Sequence, residues 1–461
     1  MDKSGDDPDC WSKSFQLGWL IIMHITQYLV ILLFTGLKLS KVEGRCFFNN
    51  SQQHCICLHL SEKTLRSLTR CLLATEFEFR GGNLEKYLGF LPFKLEPSVI
   101  DMLGTLMVTK VIFGELDVPE VLLASVMKFF SYTQVTMLGF ESCTFLGNAS
   151  WAHMAGQILP ISSLRFHNVT STSLVDRAQD FFSLSSWLES LQNLTVTQSQ
   201  VARVPCGIGK MFRTLNHLDL SENHFQDQSL GSSFCQGAFP ELQVLKLRRN
   251  NLISYHTICE MLQQLTSLAH LDLSENNLAA SSSSSCLWQP SLSIFNLSST
   301  GIDHIVIPLP PNIEVLDVSF NNLHSLDLSL HFLKELHLSN NKLHAVPSAK
   351  NYPALEVLIL DGNLISHLSK EELWSLRHLR NVKAGLNPYN CSCSGASEIQ
   401  ALANIESLLQ GWPQDYVCKS PPHYQGTLVK DVPVSAVHFN KAAVIVPVCA
   451  ILIQMCVAGI I

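Results

Sequence analysis

Residues 242–252 read LQVLKLRRNNL, with apolar side chains at offsets 0, 3 and 5, asparagine at offset 8 and a further apolar residue at offset 10. The template returns as LNHLDLSENHF from Leu215, LAHLDLSENNL from Leu268, LSIFNLSSTGI from Leu292, IEVLDVSFNNL from Ile313, LKELHLSNNKL from Leu333 and LEVLILDGNLI from Leu355. Successive starts lie 20 to 27 residues apart, within the range of repeats built from one strand and one return segment. Looser copies begin at Leu379, Leu191, Ile161, Tyr132, Val108 and Leu72.

Each LxL segment is predicted to be a short strand whose offsets 3 and 5 point into a shared core, while the asparagine turns inward onto the backbone of the adjacent coil. No single repeat can bury its own leucines, so neighbours complete the core and both ends of the stack require caps. The predicted class is α/β: a leucine-rich-repeat solenoid, a curved horseshoe with a parallel sheet on its concave face and a disulfide-stapled N-terminal cap. Offsets 2 and 4 then display a mixed set on the sheet face, among them His217, Asp219, Lys246, His270, Asp272, Asn296, Asp317 and His337. The three histidines come from non-adjacent turns without a fixed ligand spacing, so no metal is expected there.

The 461 residues carry a formal charge of -7 with no basic block, which argues against a nucleic-acid partner. Fifteen cysteines and six Asn-x-Ser/Thr sequons fit an oxidising, secretory compartment. The sequons stand at Asn49, Asn148, Asn168, Asn193, Asn296 and Asn390; the last adjoins Cys391 and is not expected to be used. A glycan on Asn296 would crowd the sheet face and direct ligands elsewhere.

Residues 17–39 are mostly apolar after an acidic leader, which reads as a signal peptide or signal anchor; a start at Met23 with processing after Gly44 is the favoured version. Residues 442–461 are uncharged and apolar, which reads as a glycolipid-anchor signal or a membrane span. The expected division is 1–44 signal segment, 45–107 N-terminal cap with a hydrophobic pocket, 108–385 repeats, 386–440 C-terminal cap and 441–461 hydrophobic tail. The expected location is the extracellular side of the plasma membrane, anchored or single-span, with a secreted form as the alternative.

Cys46, Cys55, Cys57 and Cys71 precede the repeats, where a small sheet without a large core of its own needs staples. Zinc is the poorer reading, because Cys55 and Cys57 are separated by one residue only. Two further cysteine pairs, Cys206 with Cys235 and Cys259 with Cys286, lie within adjacent turns.

The opening cysteine spacing, TEFEFRGGNLEKYL after Cys71, LDLSENHF followed by Cys235, and CLWQPSLSIFNLSSTGI leading into LPPNIEVLDVSFNNL resemble the monocyte differentiation antigen family that contains the lipopolysaccharide co-receptor of Toll-like receptors. The likeness runs from Cys46 to Leu323 and is loose from Asp101 to Val201. After Leu323 the chain departs from it: LNPYNCSC from Leu386 and WPQDYVCKSPPHYQG from Trp412 resemble the C-terminal cap of Toll-like receptors, with Cys391, Cys393 and Cys418 present and Phe439 near the place of a fourth cysteine. The resemblance implies the pairings Cys46–Cys57, Cys55–Cys71, Cys206–Cys235 and Cys259–Cys286.

It also implies a function: a surface co-receptor that binds bacterial lipopolysaccharide or lipopeptides, receives them from lipopolysaccharide-binding protein and passes them to a Toll-like receptor complex. A second copy of the chain is a further candidate partner. The alternative is a decoy or accessory Toll-like receptor ectodomain. Eleven of the twenty positions from Leu84 to Leu103 are apolar, and the family's N-terminal acyl pocket points to this stretch. Leu72, Tyr87, Leu88, Phe90, Leu91, Phe93, Ile100 and Leu103 are the candidate lining, with Arg80, Lys86 and Lys94 as rim charges. An enzyme is disfavoured, since GxSxG, HExxH and a phosphate loop in a strand-to-helix setting are all missing, and no cofactor is expected.

Overall fold

The computed structural model describes residues 45–434 apart from 61–63, 65–66, 91–104, 148–149, 172–180, 279–285, 306–307, 327 and 406. The signal segment, the tail and the stretch at 91–104 that holds half of the candidate pocket lining therefore lie outside the described residues. The chain divides into two units, Met1–Ile302 with Val306–Ile313, and Asp303–Ile305 with Glu314–Ile461.

In the first unit a hairpin of β1 (Arg45–Asn49) and β2 (His54–Leu58) opens the fold. Parallel strands follow: β3 (Glu76–Asn83), β4 (Lys110–Pro119), β5 (Met137–Glu141), β7 (Ser163–His167), β9 (Asn193–Thr197), β10 (His217–Asp219), β11 (Val244–Lys246), β12 (His270–Asp272) and β13 (Ile294–Asn296). Two short strands, β6 (Thr144–Leu146) and β8 (Thr170–Ser171), form a second row beside them. In the second unit β14 (Val315–Asp317), β15 (Glu335–His337), β16 (Val357–Ile359) and β17 (Asn381–Lys383) run parallel, and a cap pairs β18 (Tyr389–Asn390) with β19 (Cys418–Ser420). Return segments include α1 (Glu120–Phe130), α2 (Asp227–Ser233), α3 (Tyr255–Leu262) and α4 (Lys370–Ser375); α5 (Cys393–Ala403) belongs to the cap.

Strands β10 to β16 occupy offsets 2 to 4 of the seven well-formed templates, and the inward side chains at offset 3 are sealed: Leu218, Leu245, Leu271, Phe295, Leu316, Leu336 and Leu358 are each 0% exposed. Burial of this kind stabilises by roughly 1.5–3 kcal/mol per large side chain. The buried turns need backbone partners, and the asparagines supply them. Asn223 donates from Nδ2 to the carbonyls of Val196 (2.6 Å) and Leu220 (2.9 Å) while its Oδ1 accepts from the Ser199 and Val201 amides. Asn250, Asn276, Asn341, Asn363 and Asn387 repeat the pattern. The residue just before the asparagine turns left-handed, as at Glu222, Arg249, Glu275, Phe320, Asn340 and Leu386. The recurrent aspartate of LDLS is a turn residue too: Asp219, Asp272 and Asp317 accept from the amides of Ser221, Ser274 and Ser319, and Asn296 accepts from Ser298.

The ladder has two departures from the template. Thr300 stands at the asparagine position of the Leu292 copy and donates to the Leu297 carbonyl at 2.7 Å. In the earlier repeats that position holds Gly82, Leu116, Cys143, Val169 and Ser199. There the backbone solves the problem itself, because β4 runs on to pair Asp117–Pro119 with β6, and β6 pairs with β8. Two of the looser starts shift: strand β5 fits a copy beginning at Val135 rather than Tyr132, since Tyr132 still belongs to the turn that ends α1, and β3 fits a start at Ala74, which is 3% exposed, rather than at Leu72, which is 60% exposed.

Candidate functional site

The N-terminal cap is built on sulfur. Cys46 pairs with Cys57 and Cys55 with Cys71, all four are buried, and Phe48, Leu68, Phe77 and Phe79 pack against them. Among the described residues the single cluster of metal-ligating type is Cys46, Cys55 and Cys57, whose sulfurs are held in these disulfides. Cys206 is bonded to Cys235, Cys259 to Cys286, and, in the C-terminal cap, Cys391 to Cys418. Cys143 and Cys393 are free thiols. Cys143 sits at a ladder position, donates to the Phe113 and Glu141 carbonyls and is pushed above the usual thiol range by burial, so its role is structural.

Behind the cap the inward positions change character. Phe79, Phe113, Phe140 and Phe166 occupy one register row across β3, β4, β5 and β7 and stack with centroid spacings of 5.7, 5.5 and 5.4 Å. Phe140 is sealed, but Phe77, Phe79, Phe113 and Phe166, with Leu194 and Val196 of β9, are half-buried. At the same two inward positions from β10 to β17 every residue is buried. The inner wall of the first repeats is thus aromatic and partly accessible, as an apolar ligand surface is. The sequence reading missed this wall; the FEF of β3 and the recurrence of phenylalanine at offset 5 (Phe79, Phe113, Phe140, Phe166) were the available signal.

Of the candidate lining residues, Leu72 and Leu88 are 60% and 38% exposed, beside Leu73 and Met107 at 73% and 71%. Tyr87 and Phe90 fall in a 3-10 turn, Glu85–Phe90, with side chains outside the described residues; Leu91, Phe93, Ile100, Leu103 and Lys94 lie outside them altogether. Lys86 donates to the Leu60 carbonyl at 3.1 Å. Arg80, the third candidate rim charge, is engaged by acids. It lies over Gly114, where a Cβ would come within 3.2 Å of Arg80 Cγ, and meets Glu78, Glu115 (3.2 Å) and Glu141 (3.3 Å). His54 closes the cluster at 3.3 Å from Glu78.

Of the sequons, Asn49 and Asn168 are exposed, Asn193 and Asn296 are half-buried on β9 and β13, and Asn148 is outside the described residues. Between β9 and β13 the sheet face carries His217 and His270 on either side of Val244, one step from Lys246. Burial, followed by the Lys246 charge, holds His217 below the usual histidine range, against Asp219. Burial likewise lowers His270, opposed by Asp272 and assisted by Lys246 and His217. Both imidazoles are therefore harder to protonate in the fold than in the unfolded chain, where histidine titrates near about 6.5. As pH falls below about 6.5 the unfolded chain takes up these protons first, so stability present at neutral pH declines. A His217→Gln, His270→Gln chain is expected to show a shallower fall in Tm between about pH 7 and pH 5 than the parent; equal slopes would remove these histidines from the account.

Comparison with known proteins agrees with this architecture. The family described as "Leucine rich repeat" matches residues 331–387. The chain is 34% identical to Toll-like receptor 2 of Boselaphus tragocamelus over 366 residues, 77% of this chain and 46% of that receptor. Against Toll-like receptor 2 of Bos taurus it is 34% identical over 378 residues, 80% of this chain and 47% of the receptor. It spans a little under half the length of these relatives. A chain of the crystal structure of the mouse RP105/MD-1 complex superposes with a TM-score of 0.51 at 18% identity, covering 78% of this chain and 67% of that one, and so shares the fold. These relatives support a Toll-like-receptor-like leucine-rich-repeat protein, and the likeness extends well beyond the C-terminal cap.

Proposed function

We infer that this Toll-like-receptor-like leucine-rich-repeat protein is a pattern-recognition receptor of innate immunity, acting at the cell surface by binding rather than by catalysis. Its ligands in this reading are acylated bacterial lipids, lipopolysaccharide or lipopeptides, held at the N-terminal end and presented to a Toll-like receptor complex. The observation that supports it is the half-accessible phenylalanine wall behind the cap, set against the sealed interior of the later repeats. An acyl chain against such a wall gains about 0.8 kcal/mol per buried methylene, so a few chains suffice for tight binding without many polar contacts. Leu72, Leu88 and the residues at 90–103 would line the entrance, and Lys86 would meet phosphate.

The full chain displayed on cells is expected to bind labelled lipopolysaccharide or lipopeptide, and Phe90→Asp with Phe93→Asp to lose at least about tenfold in affinity, because two charges would enter the apolar entrance proposed for 90–103. Unchanged binding by a normally exported double variant would refute the assignment. The second reading, an accessory or decoy receptor ectodomain, draws on the similarity to Toll-like receptor 2 and the Cys391–Cys418 cap. Binding to purified Toll-like receptor ectodomains in the absence of lipid, with no binding of lipid alone, would favour it.

A further inference from the structure

We propose that α4 of the second unit is a membrane-surface contact, in which Trp374 and Lys370 enter the headgroup layer of the bilayer that holds the chain's own C-terminal segment. The inference rests on reading residues 442–461 as membrane-inserted.

Three observations converge. Trp374 is 60% exposed, although its neighbour Leu373 is 2% exposed and anchors the helix. The Lys370 ammonium lies 3.9 Å from the centre of the Trp374 ring, a cation–π pair that places an apolar ring and a charge side by side. Tryptophan and lysine are the residues that gather at the boundary between water and hydrocarbon, where a ring finds an amphipathic setting and the ammonium finds phosphate. Arg377 is exposed just beyond the helix, whereas Arg380 and Lys383 are engaged by Glu356 (3.7 Å) and Asp361 (3.4 Å).

The position of the helix selects the bilayer among possible occupants. α4 packs on α5, and Gln400 of α5 donates to the carbonyls of Val429 (2.8 Å) and Val432 (2.9 Å), which fixes the end of the cap to the same helix. The last described residue is Val434, and the apolar segment begins at Ala442. The intervening chain reaches at most about 27 Å at full extension. The cap, and α4 with it, is therefore leashed close to the membrane surface, and an exposed ring on that helix meets lipid more often than any dilute partner.

The test uses the full chain reconstituted in unilamellar vesicles of phosphatidylcholine and phosphatidylserine, with lipids brominated near the headgroup as tryptophan quenchers. Trp374→Phe and Trp374→Ser report on one tryptophan of seven by difference. The parent is expected to show a bromine-quenched, blue-shifted component that both variants lose, and Lys370→Glu to weaken it. A chain that floats with the vesicles but whose Trp374 emission is unquenched and open to aqueous acrylamide overturns the proposal while leaving the membrane tether intact. A chain that does not float with vesicles removes the tether, and the proposal with it.

Discussion

Replacing Asn276 with alanine is expected to lower the unfolding free energy by about 3–5 kcal/mol. The side chain donates to the carbonyls of Leu247 (2.9 Å), Leu273 (2.9 Å) and Ser274 (3.3 Å), and accepts from the amides of Asn250 (3.0 Å) and Leu252 (3.3 Å). It is 4% exposed, so water does not take over these partners. Alanine would leave two buried backbone N–H groups without acceptors, each at a cost of roughly 1–3 kcal/mol. Because Asn250 is itself a ladder residue, the loss reaches the next turn. Cys143→Ala is the matched control. It removes only one weak thiol donor, shared between two carbonyls, in a repeat whose turns are already held by β6 and β8, and should cost about 1 kcal/mol. Urea denaturation monitored by far-ultraviolet circular dichroism would rank the two; a Cys143 variant as damaged as the Asn276 variant would show that the second strand row does not replace the asparagine ladder.

That contrast also marks how far the sequence could be read. From Leu215 to Leu355 the template specifies its own structure, because the inward leucines, the asparagine and the turn aspartate are each required locally at a fixed offset. The strands accordingly fall where periodicity places them. Ahead of Leu215 the asparagine is gone, and the substitute is a backbone pairing between residues such as Val118 and Phe145, which leaves no residue-type signature. Leucine counting then misplaces two starts, choosing Leu72 and Tyr132 over Ala74 and Val135, since a small or β-branched residue fills the core position there. The candidate site was legible only in outline. Its apolar character was visible, but the stacking of Phe79 on Phe113 and the occupation of Arg80 by Glu115 and Glu141 join residues about thirty to sixty positions apart, through a register that composition does not encode.

Removing the Cys55–Cys71 bond by double alanine substitution is expected to destabilise the N-terminal cap by about 3 kcal/mol, the entropy recovered by an unfolded loop of that length. The bond closes a sequence separation of 16 residues. Its loss matters beyond chain entropy, because Cys46, Cys55, Cys57, Cys71 and Ala74 are the buried core of the cap and Phe77 and Phe79 of the first parallel strand lean on them. A repeat array is stabilised mainly by nearest-neighbour contacts, so the damage should stay local. Amide exchange is expected to accelerate in β1 to β4, where the half-buried phenylalanines lose their lid, and to remain unchanged in β14 to β17 of the second unit. Lipid capture should fall with it, since an acyl site whose wall frays must be reordered by each ligand at the expense of binding free energy. Uniform acceleration across both units would instead mean that the chain unfolds as one cooperative body, and the cap could no longer be treated as a lid that opens independently of the repeats it covers.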